Sequence, residues 1–504
     1  MNNEAKNIKR MVSRLLGQKQ KTNNEEKKKK KYNRHIRRIE KLSNHFVYKD
    51  YIYEQNNVLI SHKVDVLVVG GGPAGICASI ASSRAGATTM IIERYGCFGG
   101  VITTVGMETL GWYRYEGTVD SEGIGREMER LAEEMGASSK WPYNESHALD
   151  TERFKIIADN LILKNNVIPQ LHTYVVDVIL DKYVDNKKII GVITESKSGR
   201  RAIMAKRVID CTGDADVLYL AGGRYSQLDC EDALGVSTVI NLAGINKNKF
   251  LDHIKRNPKT YENWSDGWDQ TTAGKEEKLK SPYLSEEFKI AKEKNIIPEE
   301  SENVSICGSW STITDEGEAT NLNLIHMDGY DATDVKDLTR AEIEGRSYVE
   351  TTLKALRNTL PGFEKSKLRN IAMQLGIRDT RKIYGKYNLK ENDVKNQAKF
   401  EDTIGIFPEF IDGYNILILP TTGRYFQIPS RALIGDIDNL LVAGRCVAGD
   451  AVSHAATRNM MCCCVTGQGA GTIAAISLKN NENTHNINIK NVQDELIKQG
   501  ARIY

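Results

Sequence analysis

Residues 64–94 limit what this chain can fold into more than any other stretch. Val64 to Val69 is an apolar-rich run of the kind that forms a buried strand. Gly70-Gly71-Gly72-Pro73-Ala74-Gly75 follows without a gap, Ile76 to Ala85 reads as a helix, and Thr88 to Ile92 reads as a second strand ending at Glu93. The order strand, G-x-G-x-x-G, helix, strand, acid is that of a dinucleotide site in a doubly wound sheet. Each part has a task. Gly70 permits the tight turn, Gly72 lets backbone approach a pyrophosphate, and Gly75 lets helix and strand pack closely. Pro73 and Ala74 open a helix whose unpaired N–H groups and positive dipole end face the phosphates. Glu93 can accept hydrogen bonds from ribose hydroxyls.

The fingerprint alone does not separate NAD from FAD. Two further features favour FAD. Beyond Glu93 comes Arg94-Tyr95-Gly96-Cys97-Phe98-Gly99-Gly100-Val101, whose glycine doublet lets the chain pass close to a long ligand. Near the other end, Asp438 to Ala443 reads as a buried strand running into Gly444 and then Gly449-Asp450. Gly467-Gln468-Gly469-Ala470-Gly471 then opens an Ala-rich helix over Thr472 to Leu478, a second helix N-terminus for an electron-rich ligand group. A ligand gripped from both ends of so long a chain is extended, as FAD is.

The chain resembles the FAD-dependent oxidoreductase family of the glutathione-reductase and fumarate-reductase type flavoproteins. The matching blocks lie in one order over residues 62–480: VDVLVVGGGPAG, IIERYGCFGG, VIDCTGDADV at 208–217, LTRAEIEGRSYV at 338–349, LPGFE at 360–364, LGIRDTRKIYGKYNLKENDV at 375–394, IPSRALIGDIDNLLVAGRCVAGDA, and TRNMM followed by TGQGAG. The resemblance implies an α/β fold: a Rossmann-type FAD-binding domain with a parallel sheet, helices and a β-meander, interrupted by an α+β substrate or cap domain. It implies FAD and names no substrate, because fold-level analogy cannot supply one.

The remaining pattern agrees. Residues 123–136 and 150–165 read as helices. His172 to Leu180 and Ile189 to Thr194 read as a strand pair with a turn at Asp185-Asn186, and in relatives of this topology such a strand passes the adenine, which points to Val175 and Val176. Ala205 to Asp210 reads as the next parallel strand. It ends in Thr212-Gly213-Asp214, a polar turn at the carboxyl end of a strand, where the ligand crevice lies. Gly235 to Leu242 reads as a strand, 247–300 as a polar insertion and 338–358 as one amphipathic helix. The expected organisation is a basic extension over 1–60, FAD-binding parts over 61–221 and 431–480, a substrate domain over 222–430 that covers the flavin and excludes water, and a polar tail over 481–504.

Hydride transfer at a carbon centre usually calls for a nearby base. His454 lies four residues after Asp450, with Arg458 and Asn459 following; Arg378 and Arg381 lie in LGIRDTRKI, where either can bind a carboxylate bidentately. The alternatives are a histidine bonded to backbone and arginines in ion pairs. No metal site is expected. Cys462-Cys463-Cys464 lack C-x-x-C spacing, and adjacent helical positions point about 100° apart, so small buried packing residues against the flavin are the better reading. Cys97 has no partner a few residues away and no second G-x-G-x-x-G follows a strand, which counts against a pyridine-nucleotide disulfide reductase. No histidine lies near Gly99-Gly100 in sequence, so FAD is expected to be non-covalent. The expected activity is oxidation or reduction of a small organic molecule with an unidentified electron acceptor or donor. An FAD monooxygenase or halogenase, or a redox-inert flavin scaffold, is the alternative, although the W-x-W-x-I-P of halogenases is absent.

Nine cysteines without regular spacing suit a reducing compartment. With no long apolar run and no secretory leader, the chain is expected in the cytoplasm, with the N-x-S sequons at Asn144 and Asn263 unused. Charge is asymmetric. Residues 1–50 carry 16 Lys and Arg against 5 Asp and Glu, which leaves 53 against 61 in the body. A tail with Lys27 to Lys31 and Arg34, Arg37 and Arg38 can contact nucleic acid or acidic surfaces, or be a solvated extension outside the fold. On the second reading, deleting residues 1–55 leaves flavin content and melting temperature nearly unchanged. Loss of bound flavin or of soluble protein on truncation would show that the tail packs on the body.

Overall fold

The computed structural model describes residues 57–504, apart from 115–116, 141–144, 185–186, 257–268, 273–283, 298–302, 310–311 and 421–422, together with two short paired strands, Phe46–Tyr48 and Tyr51–Tyr53. The basic stretch before Phe46, the turn at Asp185-Asn186, and Asn144 and Asn263 lie outside the described residues.

The first sheet starts at β1 (Leu59–Val69), where Val66, Leu67 and Val68 are fully buried. Helix α1 (Pro73–Arg84) returns the chain to β2 (Thr89–Ile92), parallel to β1. After α2 (Ile124–Glu134) and α3 (Thr151–Lys164), β3 (Ile168–Gln170) joins β2 in parallel. An antiparallel pair follows, β4 (Thr173–Leu180) and β5 (Ile189–Ser196), then β6 (Arg201–Asp210), parallel to β1. Along its other edge, β6 pairs with β5 over Arg201–Met204 and with a strand from the far end of the chain over Val208–Asp210. One strand thus carries both the meander and the returning chain.

The second sheet is antiparallel. In spatial order it holds β8 (Val304–Ser309), β9 (Glu318–Met327), β7 (Val236–Ala243) and β10 (Lys367–Ile371). Two helices pack against it, α4 (Val335–Ser347) and α5 (Val349–Thr359). A single helix was expected over 338–358, but Tyr348 closes the first and opens the second. Gly345 explains the close seating of α4, since a Cβ there would collide with the Thr238 hydroxyl on β7. The hydrophobic core of this layer is drawn from residues between Val236 and Leu375. Ile383 to Ile437 belong to the first core, so the second layer is narrower than 222–430.

The chain re-enters the first sheet at β11 (Leu440–Val442), parallel to β6. It then forms α6 (Ala451–Thr457) and α7 (Met460–Lys479). Helix α7 is long and apolar enough to cross a membrane by length and composition, yet 94% of its apolar window is buried inside the fold. The stretch 481–504, expected as a tail, carries α8 (Ile489–Lys498) and buries Val492, Leu496 and Ile503 in the first core.

The GQGAG segment does not open a helix. It lies in the middle of α7, and its glycines are contact surfaces. A Cβ on Gly467 would collide with the Ala74 carbonyl of α1, one on Gly471 with the Ala78 carbonyl, and one on Gly469 with Ile404. Cys462, Cys463 and Cys464 lie in the first turns of the same helix and are all buried, but only Cys463 of the three faces the cavity described below. Gly467→Val or Gly471→Val should therefore push α7 off α1 and cost at least the upper part of the roughly 1–3 kcal/mol typical of overpacked cores. Thermal denaturation checks this; a melting curve that matches the parent would show that the two helices are not in backbone contact.

Candidate functional site

A cavity of about 970 Å³ runs from the turn after β1, across the carboxyl ends of the parallel strands, and under the second sheet. Its volume lies at the upper end of the roughly 300–1,000 Å³ range of ligand pockets. Three glycines of the turn have separate reasons. Gly70 has φ +103°, and a Cβ there would collide with the Cys211 carbonyl. A Cβ on Gly75 would collide with the Gly70 carbonyl, which is the close packing of helix on strand. Gly72 has an ordinary φ of −74°, and a Cβ there would meet nothing nearer than Gly100 Cα at 3.8 Å. The protein itself gives no reason for glycine at 72; the cavity it faces does.

Around this loop, Pro73, Ala74, Glu93, Arg94, Gly100 and Val101 line the cavity. Gly99 stands behind them, its N–H bonded to the Gly71 carbonyl at 2.8 Å. Gly100 has φ +52°, and its Cα approaches Gly72 so closely that a Cβ would lie 2.6 Å from Gly72 Cα. The doublet therefore brings two loops together at the start of α1. Glu93 accepts the Gly71 N–H at 2.6 Å and the Tyr95 N–H at 2.9 Å, so its carboxylate also braces the turn.

At the end of β6, the buried Asp210 accepts from the N–H and hydroxyl of Thr212 and from the N–H groups of Val217 and Leu218. Thr212, Gly213 and Asp214 are thereby held against the cavity, opposite Gly444 and Arg445. Arg445 binds the Gly213 carbonyl at 3.0 Å and the Asp214 carboxylate. Burial, with Asp214 and Asp210 nearby, raises the Asp216 carboxyl to about 6. The N-terminus of α7 meets the same space through Asn459, Met460 and Cys463.

Several expected ligand contacts fall elsewhere. Gly467, Gln468 and Gly469 lie inside α7, and Gln468 accepts the Ile124 N–H at 3.0 Å. Asp450 is an exposed N-cap of α6, bonded to the N–H groups of Ser453 and Glu391 at 2.8 Å each. Val176 is the extra residue where the β4–β5 register shifts, so Tyr174 and Val175 line the cavity in its place.

The candidate chemical groups also separate. His454 is 1% exposed, sits in α6 and is not at the cavity wall. Its Nε2 lies 3.0 Å from the Arg378 carbonyl, and burial lowers its pKa to about 3. It is a neutral core histidine bonded to backbone. Arg381 donates to the Asp214 carbonyl at 3.1 Å and to the Asp216 carboxylate at 3.0 Å, and stacks on Tyr219 at 4.2 Å. It braces the Asp214 loop. Arg378 does line the cavity, with its guanidinium on the Gly235 carbonyl at 3.1 Å and on His326 Nδ1 at 3.4 Å. Burial and the neighbouring Arg458 lower its pKa to about 10. Arg458 also lines the cavity, paired with Asp412 at 3.1 Å, and its Nε is buried without a partner. The sequence reading passed over His326, Cys307 and Asn323 of the second sheet, which complete this polar end. Their strands carry no local signal beyond ordinary alternation.

A family profile for FAD dependent oxidoreductases matches residues 65–496. The chain belongs to the FAD dependent oxidoreductase family. It is an FAD-dependent oxidoreductase whose reaction the family does not define. Three solved structures are similar in fold. A geranylgeranyl bacteriochlorophyll reductase-like protein from Thermoplasma acidophilum is 14% identical, with 88% of this chain and 84% of that one covered and a TM-score of 0.45. The p-nitrophenol 4-monooxygenase PnpA from Pseudomonas putida DLL-E4 is 10% identical over 87% and 85%, at 0.43. The flavin-dependent brominase Bmp2 is 11% identical over 83% and 80%, also at 0.43. These likenesses say nothing of this flavoprotein's substrate.

The space at Gly72 gives a direct test of the cradle. Gly72→Val should leave the apoprotein fold intact, because a Cβ at 72 meets nothing nearer than Gly100 Cα at 3.8 Å, and should abolish FAD binding. Melting of the apoprotein and flavin absorbance of the purified variant read the two halves separately. A variant that binds FAD normally would place the phosphates elsewhere.

Proposed function

We propose that this oxidoreductase holds FAD non-covalently in the cavity and acts on a small anionic organic molecule bound at the Arg378–Arg458 end. One observation carries the reading. A single cavity joins a dinucleotide turn with an unfilled glycine to a polar end where two guanidinium groups face the same space.

The residues suited to FAD follow the cavity wall. Gly72, Pro73, Ala74, Gly100 and Val101 surround the phosphate position at the start of α1. Glu93 and Arg94 suit a ribose and its neighbouring phosphate, and Tyr174 and Val175 offer backbone to the adenine. Thr212, Gly213, Asp214 and Gly444 suit the middle of the cofactor, and the positive end of α7 suits the electron-rich flavin edge. Bound there, FAD supplies a two-electron acceptor or donor for a hydride. Non-covalent binding is supported by the state of the nucleophiles at the wall. Both His326 ring nitrogens are engaged, Cys307 shares a hydrogen bond with Ser305 at 3.1 Å, and burial pushes the Cys211 and Cys463 thiols up.

Substrate recognition rests on charge. Arg378 has a carbonyl and a neutral imidazole as its direct partners, while Arg458 is matched by Asp412. Asp328 also lines this end and, with Asp412, acts on Arg378 through its charge, but Arg378 makes its hydrogen bonds only to neutral partners, so a carboxylate can bind beside the two guanidiniums with charge-assisted hydrogen bonds. The second sheet closes over this end and keeps water from it.

Heat or acid should release intact FAD in stoichiometric amount, and flavin that stays with the denatured chain on a gel would overturn the non-covalent reading. Arg378→Gln and Arg458→Gln should retain FAD and mainly raise KM for an anionic substrate. Loss of FAD from both variants would assign the arginines to the cofactor.

A further inference from the structure

Two consecutive non-glycine residues of the cavity wall take an unusual backbone conformation. Strands Ile411–Gly413 and Ile416–Leu419 form an antiparallel hairpin joined by two residues, Tyr414 and Asn415. Both have positive φ, 53° and 60°. Two-residue hairpin loops with φ > 0 at both positions favour Asn-Gly and its relatives. A bulky tyrosine there is an outlier, and strain of this sort costs on the order of 1–3 kcal/mol and collects at functional sites.

The side chain shows what the position holds. Tyr414 lines the cavity, and its hydroxyl donates to the carboxylate of Asp379, whose side chain is 1% exposed and lies behind it. Asp379 is held in turn by the buried ammonium of Lys382, and His454 Nε2 stands 3.6 Å away. Burial works against ionisation of Asp379, but the Lys382 ammonium and the hydrogen bonds from Lys382 and Tyr414 favour it, and its pKa lies below the ordinary value. Arg458, close enough for its charge to act on Tyr414, belongs to the guanidinium pair, and its partner Asp412 lies two residues before the tyrosine in the same hairpin.

We infer that Tyr414 is a catalytic residue that takes the hydroxyl proton of a small hydroxycarboxylate and relays it to Asp379. The inference rests on the anionic-substrate reading above and adds the reacting group. The Tyr414 proton is committed to Asp379, so the phenol oxygen faces the cavity as an acceptor, and its partner must bring a hydrogen. A hydroxyl suits this place better than an ammonium, which two neighbouring guanidiniums would repel. In the step, the substrate O–H bond breaks and a bond from that proton to the Tyr414 oxygen forms. The tyrosine's own O–H breaks and its proton bonds to Asp379. Each electron pair stays on the oxygen that gave up the proton. Nothing is oxidised or reduced, and one negative charge passes from Asp379 to the substrate oxygen, beside Arg378 and Arg458. Asp379 acts through Tyr414 and is a positioning residue.

The test uses flavin-loaded enzyme without oxygen. The probes are lactate, glycerate, malate and 2-hydroxyglutarate, with propionate and succinate as counterparts that lack the hydroxyl. At least one hydroxy acid should bleach the flavin of the parent protein, while the deoxy acids perturb its visible spectrum without bleaching it. Tyr414→Phe should keep its flavin, melt within a few degrees of the parent and bind the deoxy acid equally well. Its reduction rate should fall by about 10²–10⁴, the usual contribution of a positioned base, and the solvent deuterium effect of the parent should be lost. Asp379→Asn should lose the same solvent effect, and combined with Tyr414→Phe it should slow the reaction no further, since the two act as a unit. Reduction of Tyr414→Phe at the parental rate, or loss of its flavin, would overturn the assignment of the tyrosine alone. If no hydroxy acid bleaches the parent while light still reduces its flavin, the substrate class falls and the oxidoreductase reading stands.

Discussion

Everything at the cavity depends on two helices from opposite ends of the chain meeting backbone to backbone. Helix α7 lies on α1 through Gly467 and Gly471, against the carbonyls of Ala74 and Ala78. Side chains of any size would separate them, since protein interiors have no slack for an added methyl group. The contact sets where α7 begins. With α1 fixed to β1 by Gly75, it places Asn459 and Met460 across the cavity from the dinucleotide turn. The pairing of β11 with the last three residues of β6 does the same for Gly444 and Arg445. Both walls of the cavity are thus positioned by backbone contact, which does not depend on flexible side chains.

The loops on the dinucleotide side hold themselves in shape. Asp210 satisfies four donors at the end of β6, Glu93 ties the glycine turn to the second strand, and Arg445, Thr380 and Arg381 all bind Asp214 or its neighbours. A network in which each member has a partner is rigid in a low-dielectric interior. Two of the bracing residues, Thr380 and Arg381, come from the segment that also supplies Arg378 and Asp379. One short stretch therefore braces the Asp214 loop with one pair of side chains and builds the arginine end of the cavity with the other.

What was legible in the sequence follows from how local each signal is. The turn from Gly70 to Gly75 and the acid at 93 lie within one strand–helix–strand unit, and the structure places them as their spacing implies. The strand ending at Asp210 was legible for the same reason. Gly467, Gly469 and Gly471 misled, because a G-x-G-x-G run resembles a phosphate loop when its helix is not known to begin at Met460. The spacing of four between Gly467 and Gly471 was the available signal for a helix face pressed on another helix. Asp450 was read as a ligand residue although Asp followed by Ala-Val-Ser is also a helix N-cap. His454 stands in an Ala-rich helix, and only the tertiary packing shows that its imidazole faces the core. Tyr414 carried no local mark at all, since the oddity lies in its backbone angle.

The two ends of the cavity differ in how far their polar groups are satisfied, and this supports the proposed place of the chemistry. On the dinucleotide side the wall groups are mostly paired within the protein, as befits a site for a resident ligand held by shape and backbone. At the arginine end, the Nε of Arg458 and the amide oxygen of Asn323 are buried without partners, and burial and Arg458 outweigh Asp412 and Asp328 in their effect on Arg378. An unpaired buried polar group costs about 1–3 kcal/mol, and together with the strained turn at Tyr414 this end of the cavity carries a standing cost that folding alone does not explain. A ligand of the proposed kind, with an anionic group for the arginines and a hydrogen for the tyrosine, would relieve part of that cost on binding. On the proposed reading, a larger share would be relieved as negative charge develops on its oxygen, the differential stabilisation that accelerates a reaction.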